Sequence, residues 1–76
     1  MPNNFATYIA NEFGDFVGKT IAKIRPLTDT ELKDLYWQGE EGFVIIFTDG
    51  SCLIPSQDPE GNGAGWLFAA NVTRTK

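Results

Sequence analysis

The sequence has no histidine and a single cysteine among its 76 residues. The lone thiol, Cys52, cannot form a disulfide within the chain. The usual zinc sites are built from several Cys and His ligands, which this chain does not have. Histidine is also missing as the base that would activate Cys52 as a nucleophile. Basic residues are few, six Lys and Arg against ten Asp and Glu, for a net charge of −4. That balance opposes nonspecific nucleic-acid binding, which depends on counterion release by Lys and Arg. The acidic residues are not blocked together as in a charged tail, so their general effect is solubility. No run approaches the roughly 20 apolar residues of a membrane span. Met1-Pro2-Asn3-Asn4 lacks a basic region leading into an apolar stretch, so no signal peptide is expected, and one cysteine fits a reducing cytoplasm. Gly61-Asn62-Gly63-Ala64-Gly65 is glycine-rich, but no Gly-Lys-Ser/Thr follows and no phosphate cradle or other cofactor is expected.

A chain of this size makes one domain, 1–76, and must rely on a good apolar core or a partner. Hydrophobic residues at 42%, ten of them aromatic, supply the first. Phe5, Tyr8, Ile9, Glu12 and Phe13 recur at helical spacing, which predicts a helix over about 4–13, opened by Asn3 or Asn4 and closed by Gly14. The compact part is expected over about 17–70, with a frayed tail at 71–76. Lys19 to Arg25 alternates as a strand, with Thr20, Ala22 and Ile24 on one side and Lys19, Ile21, Lys23 and Arg25 on the other; Pro26 ends its ladder.

The clearest local signal is Thr28-Asp29-Thr30-Glu31, a capping box in which the Thr28 hydroxyl and the Glu31 carboxylate cap each other's backbone N–H. Leu27 and Leu32 are placed for the hydrophobic staple, and Asp29 and Glu31 sit at the positive end of the dipole. This helix should present Leu32, Leu35 and Tyr36 on one face and stop near Gly39. Phe43 to Phe47 is a continuous β-type run, and Asp49-Gly50 before Cys52-Leu53-Ile54 signals a hairpin. A two-residue turn pairs Thr48 with Ser51, Phe47 with Cys52, Ile46 with Leu53 and Ile45 with Ile54. One face then carries Phe43, Ile45, Phe47, Cys52 and Ile54, and the other Val44, Ile46 and Leu53. Both faces are apolar, so both should be covered, by two helices or by one helix layer and a second subunit. Cys52, inside this hairpin, reads as an inert core thiol. A polar loop follows from Pro55 to Gly65, then a short strand or helical turn over Trp66–Ala70. The expected fold is α+β, a small mostly antiparallel sheet with packed helices, in the order α-β-α-β-β with a possible last strand.

Ile24-Arg25-Pro26-Leu27-Thr28, the Asp49-Gly50 turn and Pro55-Ser56-Gln57-Asp58-Pro59-Glu60-Gly61-Asn62-Gly63 together resemble a group of small uncharacterised bacterial and phage or plasmid proteins. That group has an Arg-Pro-(Leu/Met)-Thr helix start and a Pro-Ser-Gln-Asp-x-Glu-Gly-Asn-Gly loop. The likeness covers about residues 21 to 68. The sequence departs from the pattern at Ala64, where proline is expected, and in its aromatic N-terminal segment. The resemblance implies a domain of this kind and carries no activity with it.

Three functions compete on the residues. A noncatalytic protein-interaction module would use the 57–66 loop through Gln57, Asp58, Glu60, Asn62 and Trp66, since tryptophan beside a polar loop makes a recognition patch. Its partner would be an unidentified protein, or a second copy in a homodimer. A divalent-ion module would use Asp58, Glu60 and Asn62, whose alternate oxygens and the following Gly63 mimic the opening of a calcium loop. Ala69 stands where the bidentate glutamate of such a loop would be. The third is a small enzyme with a carboxylate acid/base pair drawn from Asp49, Asp58 and Glu60. A basic stripe of Lys19, Lys23 and Arg25, extended by Arg74 and Lys76, reads as a solvated face, as edge protection or as a surface for an acidic partner.

Overall fold

The capping box of residues 28–31 forms as the sequence predicts. The Thr28 hydroxyl accepts from the Glu31 N–H at 3.1 Å, and the Thr28 N–H donates to the Glu31 carboxylate at 2.8 Å. Leu27 and Leu32, on either side of the cap, are buried in one cluster, which completes the staple. Arg25 adds a fork to the same carboxylate, with both guanidinium contacts at 2.9 Å. A computed structural model describes residues 2–70, with side chains described from Asn4 onward. The expected tail over 71–76, with Arg74 and Lys76, lies outside the described residues.

The elements run α1 (Pro2–Phe13), a 3-10 turn (Gly14–Phe16), β1 (Ile21–Pro26), α2 (Asp29–Asp34), β2 (Phe43–Phe47) and β3 (Cys52–Leu53). The sheet is antiparallel in the order β1-β2-β3, so the α+β fold is α-β-α-β-β as expected. Helix α1 starts at Pro2, whose fixed φ suits a first turn, and it is prolonged past Gly14 by the 3-10 turn. The chain then takes a positive φ at Gly18 rather than at Gly14.

Helix α2 is shorter than its pattern suggests. It stops at Asp34 because Tyr36 adopts φ 62°, and the Trp37 N–H returns to the Leu32 carbonyl at 2.8 Å. This is a Schellman ending with tyrosine at the left-handed position glycine usually holds. It throws Tyr36 into solvent, not onto the core face, and turns Trp37 inward, where it is 3% exposed. Leu27, Leu32, Trp37 and Val44 form the core cluster, with Leu35, Ile46, Ile54 and Ala64 against it.

The β2–β3 hairpin exists, but its register is one residue away from expectation. Gly50 N–H bonds the Phe47 carbonyl at 3.0 Å, and Phe47 N–H bonds the Ser51 carbonyl at 2.9 Å. Three residues, 48–50, therefore make the turn, and only Gly50 has positive φ, at 91°. Asp49 stays in ordinary backbone space because its carboxylate accepts from the Ser51 N–H at 2.9 Å and the Ser51 hydroxyl at 2.6 Å. Ile45 consequently faces Leu53, and Ile46 faces Cys52. A one-residue slip exchanges the faces of a strand. Leu53 thus joins Phe43, Ile45 and Phe47, while Cys52 and Ile54 join Val44 and Ile46 on the α2 side. Cys52 is exposed and is not a core thiol.

Strand β1 carries an irregularity between Ile21 and Lys23 that puts Ile21 opposite Phe47 and Ile24 opposite Ile45. Both isoleucines therefore share one face, against the simple alternation. Pro26 still pairs with Phe43, and Leu27 N–H makes one more bond, 2.9 Å to the Gly42 carbonyl. Trp66 to Ala70 has no regular structure, so neither a last strand nor a helical turn forms there. Among the described residues no helix is long and apolar enough to cross a membrane.

Candidate functional site

The loop after β3 closes on itself through a short backbone neck. Ser56 and Ala64 form an isolated antiparallel bridge, flanked by bonds from Gln57 N–H to the Gly63 carbonyl, 2.9 Å, and from Gly65 N–H to the Pro55 carbonyl, 3.1 Å. A Cβ at Gly65 would lie 2.5 Å from the Ser56 backbone, so the neck closes this tightly only with glycine there. Inside the neck, Asp58 organises the turn. One carboxylate oxygen accepts from Glu60 N–H at 3.0 Å and Asn62 N–H at 3.1 Å, and the other accepts from the Asn62 side-chain amide at 3.0 Å. These donors, the Asn62 amide first, hold the Asp58 carboxyl below its ordinary value. The Gln57 side chain donates to the Asn62 carbonyl at 3.2 Å, and the Ser56 hydroxyl donates to the Asp58 carbonyl. From outside the loop, Trp37 Nε1 donates to the Gly61 carbonyl at 2.9 Å, and Ala64 N–H donates to Glu40 Oε1 at 2.7 Å.

The residues singled out by sequence thus separate into two groups. Gln57, Asp58 and Asn62 are brought together and spend their polar atoms on one another and on the loop's own backbone. Glu60 is exposed at the tip. Among the described residues no three or more Cys, Asp or Glu side chains are grouped so as to hold a metal ion. Asp49 lies in the hairpin turn, where Ser51 and the Lys19 ammonium, 2.9 Å away, engage it and lower its pKa. The basic stripe is engaged in the same way, Lys19 by Asp49 and Arg25 by Glu31. Lys23 is exposed.

Trp66 differs from the rest of the loop set. Its ring meets Phe43 edge-on at 5.2 Å between centroids, yet most of it faces solvent. It helps line an open groove of about 560 Å³. One wall of the groove is α1, through Phe5, Tyr8, Ile9 and Phe13; the other is Ile45, Leu53, Pro55 and Leu67, with Asp58 and Pro59 at the rim. A second depression of about 680 Å³ continues past Trp66 and Leu67 to Ile24 on β1. The sheet thus has two unlike faces. The α2 face is closed over Val44; on the other, Ile45 and Phe47 are buried, with Phe16 on Phe47 at 5.3 Å and Trp66 on Phe43, while Ile21, Ile24 and Leu67 stay exposed.

From sequence, the helix over about 4–13 lies outside the compact part at 17–70, and its aromatic face has no role in a site. The available signal was the apolarity of both hairpin faces, which required a second cover. No protein-family model, curated protein or solved structure matches the chain.

Proposed function

We propose that this chain is a noncatalytic protein-interaction module, working through the apolar face around Trp66 rather than through the polar tip of its loop. The observation that carries the proposal is the exposure of α1's aromatic side, Trp66, Leu67 and Ile24 along two adjoining grooves, with exposed Ile21 on the same face of the sheet. Monomeric soluble proteins rarely leave so much apolar surface in one place, and such surfaces mark interaction sites. The loop serves as the frame: its neck fixes Gly65, and Gly65 fixes where Trp66 emerges. An acid/base pair gains nothing from this geometry, because Asp58 is held in its ionised form by Asn62, whereas a general acid needs the opposite shift. The exposed free thiol of Cys52 fits a reducing cytoplasm.

The test is capture from a lysate of the source organism by tagged wild type and by Trp66→Ala, with an untagged copy of the chain present. The variant keeps Trp37 as its single tryptophan, so a buried-type emission spectrum verifies its fold. A protein held by wild type and lost with the variant is expected. Equal capture by both baits, or none by either, would remove the proposal.

A further inference from the structure

Resting on that reading, we infer that the partner is a second copy of this chain, with the two α1 helices packed antiparallel across a twofold axis, each lying in the other's groove.

Area is the first argument. On α1, Phe5, Tyr8, Ile9 and Phe13 are 66, 46, 38 and 44% exposed. Across the groove and along β1, Trp66, Leu67, Ile21 and Ile24 are 83, 53, 51 and 58% exposed. At about 200 Å² for each such residue, these fractions leave about 900 Å² of surface. The largest apolar patch on an ordinary monomer is about 300–600 Å², and a standard interface takes about 800 Å² from each partner. The face is too large for a monomer and large enough for a dimer.

The pattern on α1 is the second. A twofold interface must be self-complementary, so a seam has to read alike in both directions. Phe5, Ile9 and Phe13 are spaced by fours and do so. With Ile9 on the axis, each Phe5 meets the other copy's Phe13, and Ile9 meets Ile9. Polarity is the third argument. Glu12 is the one charged residue from Pro2 to Phe13, so the helices bring almost no like charge together despite the net charge of −4. Antiparallel packing sets Glu12 beside Ala6 of the other copy, away from any like charge on that helix. Strand β1 is a poorer route to pairing, because its irregularity, Lys23 and Pro26 blunt the edge.

Sedimentation equilibrium tests the assembly. Wild type should show about twice the chain mass of 8.4 kDa at micromolar concentration. Ile9→Lys, which sets like charges face to face on the axis, should weaken association at least about tenfold while the far-UV spectrum stays native. F5K and F13E should each weaken it, and the two combined in one chain should associate more tightly than either alone, because the antiparallel seam then pairs opposite charges. A monomeric wild type, an I9K protein that stays dimeric, or a double variant no better than the singles would overturn the arrangement. If wild type is monomeric but still captures another protein through Trp66, the second copy falls and the interaction module stands. Monomers without Trp66-dependent capture would remove both.

Discussion

The Trp37 indole N–H donates to the Gly61 carbonyl at 2.9 Å, joining the largest core side chain to the tip of a loop 24 residues away. That bond couples the two halves of the site's support. Trp37 is turned inward by the left-handed Tyr36, and Gly61 belongs to the turn Asp58 organises. Loop and core should therefore lose order together.

Trp37→Phe tests the coupling. It removes the N–H and some ring volume, at a cost of about 2 kcal/mol from one hydrogen bond and a small cavity. Urea denaturation should show that loss. Hydrogen exchange should also show the Gln57 and Gly65 amides, which close the loop neck, exchanging faster in the variant. Unchanged protection there would mean that the loop holds itself without the core.

How far the fold was legible depended on how local its cause was. The capping box needs four consecutive residues and formed as read. The hairpin was legible as an element, because Gly50 must supply positive φ. Its register was not, because it turns on whether Asp49 takes positive φ or stays put, and the hydrogen bonds to Ser51 decide that. The end of α2 was hidden for a similar reason: tyrosine seldom takes the left-handed conformation, and burial of Trp37 imposes it here. The site was half legible. Trp66 and the loop's polar residues were picked out by type, but only the fold reveals that Asp58 and Asn62 bond each other. The apolar spacing of α1 could not by itself tell a core face from a docking face.

The register has a chemical readout in Cys52. With Ile46 opposite it, the thiol lies at the solvent-exposed edge of the α2 face, and an aromatic disulfide reagent should label it stoichiometrically in native buffer. Under the two-residue turn, the thiol would share the face of Phe43, Ile45 and Phe47. Labelling only after denaturant is added would contradict the exposed position of Cys52.

Acid stability follows from three carboxylates that the fold holds ionised. Glu31 is lowered from 4.5 to about 2, first by the Arg25 hydrogen bonds and then by the Thr28 N–H. Asp49 is lowered by the Ser51 hydroxyl and N–H and by Lys19, and Asp58 by the Asn62 side chain and N–H. Each folded value lies below the unfolded one, so the unfolded chain binds more protons in acid. The stabilisation is complete above the ordinary carboxylate values and is lost as pH falls through them toward the folded ones. Thermal melts should therefore be level from neutrality to about pH 5 and decline from there to about pH 2. Glu31→Gln separates the largest cluster, since glutamine at that position can still cap Thr28 but cannot titrate. Its melting temperature should lie below wild type at pH 7, where the Arg25 ion pair is missing, and the two curves should converge as wild type protonates. Parallel curves down to pH 2 would show that the Arg25–Glu31 fork contributes nothing to acid sensitivity. The decline would then belong to the two aspartates in the turns.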